Sequence, residues 1–384
     1  MKTNLAVIFG GRSCEHIVSI ASAKKAIKHL SKEKFEIFPI YITQDWRIFT
    51  GDVLLEIDSI SKIEETLKKA TPAYFTIKDG KTLLMKQGFF SKKIAEIDVA
   101  LPTVHGTNVE DGGIQGFLKT LNIPYACPDI LASAVGMDKF VSKLLFKEAG
   151  LPVLDCIEIT RHDYTSVANI ANKIQAEFDY PVIVKPVNTG SSLGITVVKE
   201  EATLQDALDE AFRRSNRLII EPALSNFREI NCSVYGDDST DVAIASECEE
   251  LKTSNDILSF EDKYKGDQWM AGEHRIFPAE LTEREKAVIQ VAATSAFKAL
   301  HCSGIARVDF MITQDNKIYI NEINTIPGAL SAGLWQSPSE MTYEEVLERI
   351  IKDAIRRKRI DDQLNYSSGK EVDSLKGNFG NKGI

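Results

Sequence analysis

Arg307, Asp309, Glu322 and Asn324 fall in or directly after two short runs, Arg307 to Ile312 and Lys317 to Ile323, joined by the polar stretch Thr313-Gln314-Asp315-Asn316. Asp315-Asn316 reads as a two-residue hairpin turn between two strands. In that register Asp309 faces Glu322 and Arg307 faces Asn324. All four side chains then share one face, because residues i and i+2 of a strand point the same way. Directly opposed carboxylates repel, so a fold keeps them together for a reason. Two acids and an amide suit a hard cation such as Mg²⁺, which takes carboxylate oxygens alongside substrate phosphates. An ordinary hairpin with a solvated polar face fits the same residues, and a one-residue slip would undo the arrangement.

Two further pieces offer phosphate chemistry. Lys185 ends the apolar run Val182-Ile183-Val184 and can reach a phosphate or snorkel to solvent. The loop that follows, Gly190-Ser191-Ser192-Leu193-Gly194, can present N–H groups and hydroxyls to phosphate oxygens, although it is not a Walker loop. His105 through Gly113 gathers a histidine, two acids and three glycines, where backbone can approach a ligand closely.

The elements that must position these residues alternate. Leu5 to Phe9 is a strand turned by Gly10-Gly11, and Val18 to Leu30 has helical spacing. Strands follow at Phe35 to Ile42 and Ile97 to Val104, so the order argues for a parallel sheet with ligands at its carboxyl ends. Asp138 to Gly150 is a helix, stopped by Gly150 and followed by Pro152. Short strands are expected at Pro181 to Lys185, Ile195 to Val198 and Leu218 to Glu221, and a helix at Glu283 to Leu300. Ser254 to Gly272 reads as a long closing loop, and the chain after Arg356 as a frayed tail.

Composition narrows the functional classes. The 384 residues suggest two or three domains. A net charge of -9 opposes a nucleic-acid surface. No run reaches the roughly 18 apolar residues that span a bilayer, and Leu5 to Phe9 is too short for a secretion signal, so a cytoplasmic protein without a membrane partner is expected. The six cysteines form no Cys-x-x-Cys pair and read as free thiols. Gly10-Gly11-Arg12-Ser13 does not make a dinucleotide fingerprint, which argues against an oxidoreductase.

In combination the chain resembles the D-alanine–D-alanine ligases of the ATP-grasp superfamily. The resemblance rests on Gly10 through Ser19, His105-Gly106 through Gly116, Met137-Asp138-Lys139, Val184-Lys185-Pro186 with Gly190 to Gly194, Gly304 through Phe310, and Asn321 through Gly328. It implies an α/β fold with an N-terminal parallel α/β substrate domain (1–127), central (128–222) and C-terminal (223–360) ATP-grasp domains, and a flexible tail (361–384). It implies a homodimer using ATP and two Mg²⁺ ions, with Mn²⁺ as a substitute, to activate a donor D-alanine as an acyl phosphate for peptidoglycan precursors. The alternative is a related ligase that joins D-alanine or another amino acid to a different acceptor.

The same resemblance implies residue roles. Lys139, Lys185 and Ser192 hold ATP phosphates, and Glu221 and Glu229 contact the adenosine part. Asp309, Glu322 and Asn324 bind metal. Glu15 takes the donor ammonium, with His105 near the donor carboxylate. Ser191 links Glu15 to Tyr264 of the closing loop, where Lys263 meets the acceptor. Arg307 and the Gly328 backbone stabilise the oxyanion. Three departures are plain: Asn108-Val109 replace small residues, the closing loop lacks the usual tyrosine-rich run before Lys263-Tyr264, and Gly333 stands where the family has a serine that helps hold the acceptor carboxylate.

Overall fold

The computed structural model describes residues 2–252, 275–336 and 341–365. The expected closing loop, with Lys263 and Tyr264, and the tail from 366 onward lie outside the described residues.

The described residues build three sheets. In the first, Thr3–Gly10 pairs in parallel with Phe35–Ile42 and Val99–Pro102. Leu5, Ala6, Val7, Ile8 and Phe9 are all fully buried. That explains an unbroken apolar run, since a strand covered on both faces does not alternate. The parallel arrangement stops there. Ile48–Thr50, Thr71–Lys78, Lys81–Lys86 and Lys92–Glu96 extend the same sheet in antiparallel fashion. Their polar and charged outer residues hid them among loop-like sequence.

The second sheet orders Thr196–Val198, Val182–Pro186, Arg217–Pro222 and Ile157–Thr160, all antiparallel, with Val167–Glu177 and Leu204–Phe212 packed on it. The helix Lys139–Glu148 begins where Asp138 accepts from the N–H groups of Phe140 and Val141. It ends just before Gly150, whose φ of 72° no side chain adopts cheaply.

The third sheet runs Arg275–Ile276, Val242–Leu251, Arg228–Asp237, Gly304–Ile312 and Ile318–Asn324. One face, with Ile230, Cys248, Val308 and Phe310, packs on the helix Glu283–Ala299. That helix starts with a capping box between Thr282 and Glu285. The opposite face is the polar one.

The hairpin differs from its expected form in an instructive way. Its ends do pair as Arg307 with Asn324 and Asp309 with Glu322. Near the turn, however, Ile312 pairs with Ile318, and Thr313 receives the loop bonds from Asn316 N–H and exchanges with Lys317. The loop is therefore three residues, Gln314 to Asn316, with Asn316 at φ 58°. A three-residue loop with its last residue left-handed is a standard alternative to the two-residue turn. Asn321 is the extra residue that restores the register as a bulge.

The C-terminal helix Tyr343–Asp361 buries Val346, Leu347, Ile350 and Ile351 in the core of the first sheet. It continues past Arg356, where fraying was expected, because Arg356 and Arg357 both pair with the buried Asp237.

Candidate active site

The polar face of the third sheet carries the acids. Glu249, Asn231, Asp309 and Glu322 stand directly opposite one another on four successive strands, so their side chains form one row. Arg307 grips Asp309 with both ends of its fork, Nε to Oδ1 at 2.6 Å and Nη2 to Oδ2 at 2.7 Å. Burial works against the Arg307 charge, but Asp309 more than offsets this and raises the guanidinium above its ordinary range. Asn324 Nδ2 donates to Asp309 Oδ2 at 3.0 Å. Lys139 Nζ reaches Glu322 Oε2 at 3.1 Å.

Among the described residues no three acidic, imidazole or thiol groups stand together as a self-sufficient metal site. The residues fit Mg²⁺ in another way. The carboxylates of Asp309 and Glu322 and the amide of Asn324 offer hard oxygen donors on one face, and Mg²⁺ commonly completes such a set with phosphate oxygens and water.

The second sheet and the helix Lys139–Glu148 bring the lysines opposite. Lys185 Nζ donates to Glu221 Oε2 at 2.7 Å and to Asn321 Oδ1 at 3.4 Å. Lys143, which sequence reasoning missed, meets Glu221 Oε1 at 2.7 Å. Glu221 is fully buried. Burial alone would raise its carboxyl pKa, but Lys185 and Lys143 overcome that and bring it down to about 2. Its carboxylate is thus committed to two lysines. Lys185, Glu221, Glu229, Ser192 and Lys139 line one cleft between the second and third sheets.

The loop over this cleft is strained. Ser191 and Ser192 have φ of 54° and 59°, a conformation that costs a non-glycine residue of order 1–2 kcal/mol. The strain aims Ser191, whose hydroxyl donates to Glu15 Oε1. Glu15 sits between two glycine backbones. A Cβ at Gly190 would come within 2.6 Å, and one at Gly106 within 2.7 Å, of Glu15 Oε2. Both positions therefore need glycine for the carboxylate to lie where it does.

His105 is buried with both ring nitrogens engaged, Nδ1 with the Ile326 carbonyl at 2.8 Å and Nε2 with Ser22 Oγ at 2.7 Å. Burial drives its pKa down to about 4, so the ring is neutral. A carbonyl only accepts, so Nδ1 carries the proton and Nε2 accepts from Ser22. Ser22 in turn receives the Ala329 N–H at 2.9 Å. Glu110 was overlooked as a working residue. It accepts from the N–H of Gly106 at 2.9 Å and of Ile326 at 2.8 Å, and burial raises its pKa to about 7. His105 and Glu110 thus fasten the segment after Asn324 onto the first sheet. That segment contains Gly328, followed by Ala329, Leu330 and Ser331 in a left-handed turn with φ of 48°, 49° and 55°. Asn108-Val109 serve loop packing. Asn108 Nδ2 donates to the Arg12 carbonyl at 3.0 Å, and Val109 is buried against Gly11.

Three sheets, with facing lysines and acids in the cleft between the second and third, define an ATP-grasp fold. Residues 4–128 match the family described as D-ala D-ala ligase N-terminus, and residues 145–352 match D-ala D-ala ligase C-terminus. The D-alanine–D-alanine ligase of Thermosipho africanus is 37% identical, over 97% of this chain and 99% of its own length. That of Geobacillus thermodenitrificans is 36% identical, over 96% of this chain and 100% of its own. The D-alanine-D-alanine ligase structure from Coxiella burnetii superposes with a TM-score of 0.79 at 30% identity, covering 97% of this chain and 99% of that one. The D-Ala:D-Ser ligase of Enterococcus faecalis does so at 0.77 and 29%, covering 92% and 100%. The chain belongs to the D-alanine–D-alanine ligase family. It is an ATP-dependent ligase of peptidoglycan synthesis.

Among the described residues no helix is long and apolar enough to cross a membrane. None of the six cysteines is in a disulfide.

Proposed function

We propose that the chain joins two D-alanines in the cytoplasm, with the residue roles set out here. Lys139 and Lys185 hold the ATP phosphates under the Ser191-Ser192 loop, and Glu229 faces the adenosine. Glu221 acts from behind, holding Lys185 in place. Asp309, Glu322 and Asn324 hold two Mg²⁺ ions, which neutralise phosphate charge when bound. Glu15 receives the donor ammonium. His105 accepts from Ser22 and, through Ser22 and the Ile326 carbonyl, sets the segment on which Gly328 lies near the donor carboxylate. That carboxylate attacks the γ-phosphate to give an acyl phosphate and ADP. The acceptor amine then attacks the acyl carbon, with Arg307 and the Gly328 N–H on the developing oxyanion, and phosphate leaves. Lys263 and Tyr264 complete the acceptor side, Tyr264 through Ser191. The functional unit is a homodimer, which sedimentation of the purified chain checks.

The bond from Ser191 to Glu15 supports this reading best. It ties the loop of the second sheet, beside the phosphate lysines, to the loop after the first strand, where a donor amine would sit. Glu15→Gln removes the charge without changing shape. It is expected to raise the donor KM at least about tenfold, the worth of one charge-assisted hydrogen bond. A donor KM equal to that of the wild type would refute the assignment. A different acceptor is the second reading, favoured by Gly333, which has no hydroxyl to offer.

A further inference from the structure

One ion pair on the polar face of the third sheet has no part in the chemistry described so far. Arg275 Nη1 lies 3.1 Å from Glu249 Oε2 and 3.3 Å from Oε1. Glu249 also accepts from Asn231 Nδ2 at 3.2 Å, and its side chain is 4% exposed. The acid is therefore spent inside the protein, while the Arg275 side chain is 32% exposed. Glu249 belongs to the same row as Asp309 and Glu322, and it is near enough to Arg307 to support the guanidinium charge.

Position on the face separates this pair from the phosphate machinery. The lysines and Glu322 lie at the edge formed by Ile318–Asn324, Arg307 and Asp309 come next, and Glu249 lies two strands further on. Two strand spacings are about 10 Å, room enough for one amino acid between the acyl centre at Arg307 and the guanidinium. Gly333 opens the same spot. Among the described residues a Cβ there would meet Arg275 Nη1, at 3.9 Å, and Glu249 Oε2, at 4.0 Å. A side chain at position 333 would stand directly over the pair.

We infer that Arg275, held by Glu249 and uncovered by Gly333, binds the carboxylate of the acceptor amino acid and sets acceptor specificity. The inference rests on the ligase reading above and names the side chain that takes over the carboxylate. Arg275 touches the acceptor; Glu249 is a positioning residue that acts through it. A planar guanidinium matches a carboxylate with two parallel bonds, whereas lysine offers only a point charge.

The test compares D-alanine with D-alaninamide as acceptor, at saturating ATP and donor. The amide keeps the attacking amine and loses the carboxylate charge. The wild type is expected to prefer D-alanine by roughly ten- to hundredfold in acceptor kcat/KM, as one charged contact allows. Arg275→Gln is expected to erase most of that preference by raising the acceptor KM, with the KM for ATP unchanged. Arg275→Lys is expected to recover part of it. Glu249→Gln is expected to fall between wild type and Arg275→Gln. The paired variant Arg275→Gln, Glu249→Gln leaves no unpartnered buried charge and guards against misfolding, and it is expected to show the same lost preference. A preference for D-alanine retained in folded, active Arg275 variants would overturn the inference alone. A wild type that forms no dipeptide would overturn the ligase reading together with it.

Discussion

Glu221→Gln separates two roles for one carboxylate, support of the lysines or contact with the nucleotide. The side chain is fully buried between Lys143 and Lys185, at 2.7 Å from each. Removing the anion leaves two buried ammonium groups facing a neutral amide, and breaking a buried pair in this way costs about 3–5 kcal/mol. Linkage gives a similar figure independently. The carboxyl moves from 4.5 in the unfolded chain to about 2 in the folded one, worth about 3 kcal/mol at neutral pH. Because the folded pKa is depressed, that stability is fully present above 4.5 and is lost as pH falls toward 2. Urea unfolding of the nucleotide-free protein at pH 7 is therefore expected to show a loss of about 3 kcal/mol or more in the variant. The difference should shrink as the medium is acidified. Adding Lys143→Met removes one stranded cation and should recover part of the loss. A variant as stable as the wild type, with a raised KM for ATP, would show that the carboxylate works on the nucleotide and would refute the reasoning.

Asp309→Asn and Glu322→Gln keep shape and remove oxygen charge, so turnover should collapse at limiting Mg²⁺ while the circular dichroism spectrum is retained; activity equal to wild type in either would remove the metal assignment. Lys185→Ala should lower kcat/KM for ATP at least about tenfold, since a charged hydrogen bond is worth roughly 1.5–3 kcal/mol. Glu110 and His105 should tilt the pH dependence of stability in opposite directions. Glu110 holds its proton to about 7 in the folded chain against 4.5 unfolded, so the wild type loses up to about 3 kcal/mol as pH climbs through that window, and Glu110→Gln should abolish the loss. His105 titrates near 4 folded against 6.5 unfolded, so its contribution is present above 6.5 and lost as pH falls toward 4, a loss that His105→Gln should remove. Denaturant titrations of each variant minus wild type read both slopes.

The facing of the hairpin's acids was legible because opposed carboxylates are rare enough to notice, and its ends pair as the sequence suggested. Its turn was misread by one residue, and the Asn321 bulge cancelled that error before it reached Asp309 and Glu322. Local turn residues do not announce a compensating bulge several positions away. Strands Arg228–Asp237 and Val242–Leu251 went unassigned because polar residues such as Asn231 and Glu249 interrupt their apolar pattern. Lys143 belongs to none of the motifs read in the sequence. Only the close approach of Lys139–Glu148 to Arg217–Pro222 makes it a partner of Glu221. Glu110 was visible as part of a motif, yet its task depends on the Ile326 N–H, more than two hundred positions away. Arg275 and Glu249 carry no motif, and their significance appears only from their place on the sheet.

The fate of the donor oxygen tests the central claim most directly. D-alanine labelled with heavy oxygen in its carboxylate is turned over with ATP and the wild-type chain, and the released phosphate is weighed. If the donor is activated as an acyl phosphate, the bond that breaks lies between carbon and oxygen, and each phosphate carries one labelled oxygen for every dipeptide formed. Unlabelled phosphate, or label recovered in AMP, would contradict the account.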